Sequence, residues 1–265
     1  MVKINEVAEF DGIRAEMYEQ AISKFPDART MDIEAMSRLL DPRSGEKILG
    51  FGEGNGYFCT AIAQAVGEQG HYLVTDPSED QLNNLKKNCQ AHQVEVQANG
   101  VENLIVQNNY FDKAWSFGAY HHCPEQIEGM KRVYDSLKSG GTLVLCDVFQ
   151  GSELARHFDE TVARYCITGH EVKFLSNEFA RTLCHLAGFA DDKVELISLP
   201  QKWRFDSKKD LGEFIYKLHA MTLYDGHEEE KINRTIESCE RLLGVSYKNG
   251  KYELNWPMQA IIATK

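Results

Sequence analysis

The chain has no C-x-x-C pair, and its seven cysteines (59, 89, 123, 146, 166, 184 and 239) are odd in number and widely scattered. That excludes a disulfide framework and argues against a structural zinc site. Reduced, mostly buried thiols in a cytoplasmic protein are the expectation. Runs rich in Lys or Arg are missing as well. With 29 basic against 40 acidic residues the net charge is −11. Such a surface repels phosphate backbones and anionic lipid, so neither nucleic acid nor a membrane is an expected partner. No apolar run approaches membrane-spanning length. The opening MVKINEVAEF lacks an apolar stretch and carries Lys3, Glu6 and Glu9, which reads against a signal peptide. There is no internal repeat. Nothing sets the oligomeric state, and a homo-oligomer stays open.

What is present is an alternation of two periodicities. Phe10, Ile13, Met17 and Ala21 recur at helical spacing, as do Ile33, Met36 and Leu40 before Asp41-Pro42. Lys47–Phe51 then reads as a strand, with a helix from Phe58. Strands follow at His71–Thr75, Val94–Ala98 and Ala114–Phe117, with helical stripes at Leu82–Cys89 and Ile127–Leu137 between them. Gly140-Gly141 turns into the strand Thr142–Val148. Such repeated crossovers predict a doubly wound α/β sheet, whose ligands bind beyond the carboxyl ends of the strands. After residue 150 the pattern loosens. Leu154–Tyr165, Phe179–Leu186 and two segments in 207–244 read as helices, and Val194–Leu199 and Tyr252–Ile262 as strands. Pro257 removes a ladder donor, so a bulge or an edge is expected there. The division is a helical cap over 1–44, a core over 45–150, and a helical insertion with closing strands over 151–265.

The chemistry sits in Ile48-Leu49-Gly50-Phe51-Gly52-Glu53-Gly54-Asn55-Gly56, between the first strand and its helix. Glycines at 52, 54 and 56 bare the backbone to a ligand, with N–H groups free at a helix start. Asp76, at the end of the second strand, can accept hydrogen bonds from ribose hydroxyls. Its competing reading is a helix N-cap ahead of Pro77. Together the loop and the carboxylate predict a nucleoside-containing cofactor. Dinucleotide folds use G-x-G-x-x-G; here the spacing is G-x-G-x-G.

That run resembles motif I of the class I S-adenosylmethionine (SAM)-dependent methyltransferases, of the small-molecule, methyltransferase-11/25-like kind. Phe111-Asp112 with His121-His122-Cys123-Pro124 is similar to their fourth-strand segment. Arg132-Val133 through Gly140-Gly141 is similar to their approach to strand five, and Ala187-Gly188-Phe189 to a later "AGF". Four motifs in order carry the resemblance, which is strongest over 45–150. It implies a seven-stranded Rossmann-like sheet with N-terminal helices, a helical insertion and an antiparallel last strand. SAM would lie across strands one to four, and a methyl group would pass to an N, O or C atom of a small-molecule acceptor. It further implies that Tyr18 covers the methionine end. The cofactor-binding set is then Tyr18, Gly50, Gly52, Glu53, Gly54, Gly56, Asp76, Pro77, Asn99, Val101 and Phe117. Two positions depart from the family. Gly50 stands where an acid is usual, with Glu53 nearby as a substitute. Gly100 stands where an aspartate often binds the adenine amine, leaving Asn99 and the Val101 N–H.

His121 and His170 are the candidate bases; each also has a structural reading, as does His157. His121-His122-Cys123 is adjacent rather than spaced along one face, so no metal site is expected. Of the aromatics around strand four, most read as core, and one or two as walls of the acceptor pocket or partners of the sulfonium. The alternatives are a methyltransferase-fold protein without methyl transfer (a binding module or a SAM-assisted cyclase), a nicotinamide-dependent oxidoreductase, and a docking protein using 151–250.

Overall fold

A computed structural model describes residues 8–265. Lys3, Glu6 and the start of the 1–44 cap lie outside the described residues. Two helices, α1 (Ile13–Lys24) and α2 (Thr30–Leu40), come first. Strand and helix then alternate: β1 (Lys47–Phe51), α3 (Cys59–Val66), β2 (His71–Thr75), α4 (Glu79–Asn88), β3 (Val94–Gln97), β4 (Phe111–Phe117), α5 (Gln126–Ser136) and β5 (Leu137–Asp147). The insertion follows as α6 (Glu153–His157), a π-helical turn (Phe158–Val162), α7 (Ala163–Tyr165) and α8 (Asn177–Ala187). The chain ends with β6 (Val194–Phe205), α9 (Lys208–Leu218), α10 (Glu228–Leu242), β7 (Val245–Lys248) and β8 (Lys251–Thr264).

The strand order is β3-β2-β1-β4-β5-β8-β6. The first five strands pair in parallel, and β8 runs antiparallel between β5 and β6. These are the seven strands expected. An eighth, β7, pairs only with the overhanging start of β8, from Leu254 to Lys251. Its four residues are mostly exposed and carry no apolar alternation, which is why the sequence pattern misses it. Pro257 faces Pro200 of β6. On its other side β5 pairs only as far as Gln259 and β7 only to Leu254, so Pro257 sits at a local edge, as its missing N–H requires.

Side-chain alternation splits the core across the sheet. Ile48, Val144 and Cys146 face α3, α4 and the cap helices, while Leu49, Leu143 and Leu145 face α5 and α8. Covering both faces with helices is what lets a parallel sheet bury its strands. The helical stripes locate the helices better than their phase. On α8 the buried face is Ala180, Leu183, Cys184 and Ala187, whereas Phe179 and Leu186 are exposed.

The cap is fastened by a buried ion pair. Arg29 Nε donates to Asp32 Oδ2 at 2.8 Å, and Trp203 Nε1 donates to the same oxygen at 3.0 Å. Arg29 also donates to the Tyr18 hydroxyl at 3.3 Å. Burial pushes the Asp32 carboxyl up, opposed by Arg29, Trp203 and Gln201. Removing one member of a buried pair leaves the other uncompensated. Asp32→Ala is therefore expected to cost about 3–5 kcal/mol in urea unfolding. A loss below about 1 kcal/mol, the range of an exposed pair, would show that Arg29 is not committed to Asp32.

Candidate active site

The strand order reverses between β1 and β4, and the glycine loop lies at that switch point, where open α/β sheets bind ligands. Three backbone contacts shape it. Gly52 N–H donates to Thr75 O at 2.8 Å, and Gly56 N–H to Glu53 O at 3.0 Å. Gly54 N–H donates to Asp76 Oδ2 at 2.9 Å. Gly52 has φ +68°, and a Cβ there would stand 2.4 Å from the Ala119 Cβ, so only glycine fits. The other oxygen of Asp76 accepts the Ser78 N–H at 2.9 Å. The N-cap of α4 is Ser78, whose Oγ accepts the Gln81 N–H. Asp76 is thus the strut between the loop and the end of β2, and the N-cap reading of it does not hold. Burial pushes its carboxyl up to about 6, against the pull of the Ser78 and Gly54 N–H bonds.

Three cavities meet above this loop. One, of about 400 Å³, is lined by Gly52, Asp76, Pro77, Asn99, Val101 and Glu102 among others. A second, of about 90 Å³, lies over Glu53, Gly54 and Gln81, with Tyr18 and Phe117 on its walls. A third, of about 80 Å³, is walled by Phe158, Trp203, Trp256 and Met258 and reached by Arg14, Arg29, His121 and His170. Phe10 and His122 border all three. Under the reading proposed below, a nucleoside takes the first, an amino-acid tail the second, and an acceptor the third. Tyr18, Arg29, Phe117 and Gly118 separate the last two.

The two departures noted in the sequence each have a structural answer. A Cβ at Gly50 would meet the Tyr72 hydroxyl at 2.5 Å and Glu53 Oε1 at 2.8 Å. The space beside residue 50 is thus filled by the Glu53 carboxylate, arriving from three residues later. Glu53 Oε2 and Gln81 Oε1 are buried without a hydrogen-bond partner, and both residues line the second cavity. Orphaned acceptors of this kind suit a ligand ammonium. At Gly100 a Cβ would stand 2.3 Å from Glu102 Oε1, so Glu102 curls over the glycine. It brings a carboxylate to the first cavity, where Asn99 also lies.

In the acceptor cavity His121 is held by Asp147. Its Nδ1 lies 2.5 Å from Asp147 Oδ1, and its backbone N–H donates to Oδ2 at 3.0 Å. Both side chains are almost fully buried. His170 stacks on Phe158, their ring centroids 4.7 Å apart, and faces His121 at 5.6 Å. Arg14 bridges the cap to the insertion, donating to Thr168 Oγ1 at 2.6 Å and pairing with Glu9.

Comparison with known proteins bears on the fold and on the core segment that carries the glycine loop. Residues 48–141 match the family model of the methyltransferase domain. The core of the chain is thus similar to a SAM-dependent methyltransferase domain. It is 26% identical over 180 residues to an arsenite methyltransferase of Halobacterium salinarum, covering 64% of this chain and 44% of that protein. It is 28% identical over 116 residues to a demethylmenaquinone methyltransferase of Bacillus cereus, covering 43% and 49%. The chain thus spans less than half the length of these curated relatives. Among solved structures, a phosphoethanolamine N-methyltransferase of Haemonchus contortus, with S-adenosylhomocysteine bound, superposes with a TM-score of 0.65 at 16% identity, over 95% of this chain and 56% of that one. At that identity the likeness is one of fold. The domain match decides against the nicotinamide-dependent reading of the same loop.

Of the residues expected to form the site, Tyr18, Gly52, Glu53, Gly54, Asp76, Pro77, Asn99, Val101 and Phe117 all reach the first two cavities, and His121 and His170 share the third. Gly50 and Gly56 line none of them. Gly56 instead admits Leu85 of α4, whose Cγ would be 2.7 Å from a Cβ there. Glu102, Gln81, Phe10, Arg14, Arg29 and Asp147 were not picked out from the sequence. Asp147 has a signal that was available, an acid ending strand five; the others depend on tertiary contact. His157 is buried beside Trp256, away from the acceptor cavity.

The Glu53 carboxyl is pushed up to about 7 from 4.5, chiefly by burial and further by Asp76, with Tyr72 opposing. An acid whose folded pKa exceeds its unfolded one binds more protons when folded. Its contribution to stability is therefore greatest below about pH 4.5 and declines until pH passes about 7. Glu53→Gln is expected to flatten the fall of unfolding free energy across that window and to raise stability at pH 8. An unchanged slope in denaturant titrations at several pH values would place the buried proton elsewhere.

Proposed function

We propose that this chain binds SAM across the first two cavities and transfers its methyl group to a small-molecule acceptor held in the third. The observation that carries this is the meeting of three cavities at one point, with orphaned acceptors in the second and a histidine–aspartate pair in the third. Asp76 accepts the ribose hydroxyls through lone pairs left free by its two N–H bonds. Asn99, the Val101 N–H and Glu102 serve the adenine edge. Glu53 and Gln81 take the ammonium, and Tyr18 and Phe117 flank the sulfonium.

The acceptor's lone pair attacks the methyl carbon in line. The carbon–sulfur bond breaks with its electron pair going to sulfur, and the sulfonium becomes a neutral thioether. The leaving group is already activated by its charge, so the protein's main work is to align and desolvate the reactants. For an acceptor that must lose a proton, His121 takes it, with Asp147 fixing the ring and stabilising the imidazolium. His170 is the alternative base across the same cavity. Placing the acceptor among Phe158, Trp203 and Trp256 suits a small, partly apolar molecule.

Isothermal titration calorimetry with SAM and with S-adenosylhomocysteine tests this directly. Micromolar binding of both is expected, and Asp76→Ala should weaken it about tenfold to a hundredfold. The ligand ammonium pulls the Glu53 carboxyl down from about 7, so binding at pH 6 should release a proton. The binding heat will then depend on the buffer's ionisation enthalpy, and Glu53→Gln should abolish that dependence. If neither compound binds, the methyltransferase reading of this site falls, and a protein that keeps the fold without the cofactor takes its place.

A further inference from the structure

We propose that His121, His122 and His170 together bind one divalent transition-metal ion at the junction of the cofactor and acceptor cavities. The inference rests on the methyl-transfer reading only for the metal's role, not for its binding. Adjacency of His121 and His122 argues against a shared ligand set in the sequence. The short 3-10 turn Tyr120–His122 changes that by tilting the two rings at 41°, and the insertion adds His170.

The geometry is close to that of a three-imidazole centre. One potential ligand atom from each ring lies within 4.8 Å of the others. Ring centroids are 4.3, 5.1 and 5.6 Å apart. Three imidazoles around a tetrahedral ion with bonds of about 2.0–2.1 Å put their centroids about 5 Å apart. Small side-chain rotations therefore complete the site. Cys123 takes no part, since its thiol points to Glu102.

The surroundings favour a cation. Asp147 holds His121 by Nδ1, which leaves Nε2 as its ligand atom, the carboxylate–histidine arrangement that orients metal-binding rings. Nδ1 of His170 is buried without a hydrogen-bond partner, and Nδ1 of His122 meets only the Glu9 carboxylate. Packing against Phe158 accounts for the position of the His170 ring but not for its unsatisfied nitrogen. Glu9 Oε2 stands 2.8 Å from His122 Nδ1, and Arg14 pairs with the same carboxylate. Among the described residues, Glu9, Asp147 and Arg14 stand against the rings, and Arg29, which reaches the same cavity, is paired with Asp32.

Imidazole sets suit Zn²⁺, Fe²⁺, Co²⁺, Ni²⁺ and Cu²⁺ rather than Mg²⁺ or Ca²⁺. With three protein ligands and the acceptor cavity beside it, the ion keeps a position for an acceptor hydroxyl or thiol. As a Lewis acid it lowers that group's pKa. The proton leaves to solvent, the acceptor–methyl bond forms and the sulfur–methyl bond breaks, with no oxidant required.

The test uses the full chain without a histidine tag, stripped with a chelator and titrated with Co²⁺ in parallel with S-adenosylhomocysteine calorimetry. One equivalent of Co²⁺ is expected to give visible absorption typical of a low-coordinate nitrogen site, displaced by Zn²⁺. His170→Ala should lose that absorption, and Asp147→Asn should weaken binding about tenfold to a hundredfold. His170 lies outside the two cofactor cavities, so S-adenosylhomocysteine binding by His170→Ala shows that the variant is folded. No stoichiometric Co²⁺ uptake by a chain that binds S-adenosylhomocysteine overturns the metal site and leaves His121 as a base. Co²⁺ binding that survives in His170→Ala also overturns it. Failure to bind S-adenosylhomocysteine would instead sink the methyl-transfer reading, whatever the cobalt result.

Discussion

The acceptor cavity exists because Arg29 is pinned. A guanidinium this deeply buried is tolerable only when its charge and its donors are met; Asp32 meets the charge and the Nε donor, and the Tyr18 hydroxyl takes an Nη1 donor. The partners of that pair come from distant parts of the chain. Tyr18 belongs to α1, Asp32 to α2, and Trp203 and Gln201 to β6. The ion pair therefore seats the cap on the far end of the sheet, and the cap closes the cavity. Trp203 in turn stacks on Trp256 of β8 at 3.8 Å, extending the wall. Arg29 also sits 4.8 Å from the Tyr57 ring, which ties the same charge to the glycine loop's helix. Cap, sheet extension and cofactor loop are linked through one side chain.

A second carboxylate does the same for the loop. Asp76 holds Gly54 and Ser78 at once, so the end of β2 and the turn after β1 form one rigid edge. Ser78 Oγ then donates to the Phe10 carbonyl and to Asp11, carrying the edge into the segment before α1. Phe10 borders all three cavities for this reason. The glycine loop and the segment before α1 are positioned by hydrogen bonds from Asp76 and Ser78 of one turn, so a change in one reaches the other.

Much of this was legible in the sequence, because local rules govern it. The switch-point loop shows itself in glycine spacing, and Asp76 in its position at a strand end. The alternation of strand and helix over 45–150 follows from hydrophobic period alone. Less visible were features decided by tertiary contact. Glu53 reads as a neighbour of the glycines; that it fills the space beside Gly50 depends on how the loop turns. Glu102 is an unremarkable acid until it folds over Gly100. His170 comes to His121 only through the path of the insertion. Phe179 and Leu186 read as core because their spacing is right, but α8 covers only part of the sheet and leaves them outside. Sequence adjacency is also a poor guide to whether two rings can face one point, because the 3-10 turn tilts His121 and His122 by 41°.

The distribution of unsatisfied polar atoms links these observations. Among the described residues, Arg14 Nε, Glu53 Oε2, Gln81 Oε1 and His170 Nδ1 are buried without partners on side chains that line the three cavities. Others, such as Tyr72 Oη, Trp115 Nε1 and both nitrogens of His157, lie away from the cavity walls. Each such atom costs about 1–3 kcal/mol in the free protein. A fold selected for stability alone would have paired or replaced them, as the core between α5 and β5 does with apolar side chains. At the atoms that line the cavities, folding leaves hydrogen-bonding capacity unspent where a ligand can use it. Under the proposed reading, a zwitterionic cofactor would meet the acceptors in the second cavity, and an acceptor or an ion the imidazoles in the third. Binding therefore also stabilises, since each ligand contact relieves a cost that the unliganded chain already bears.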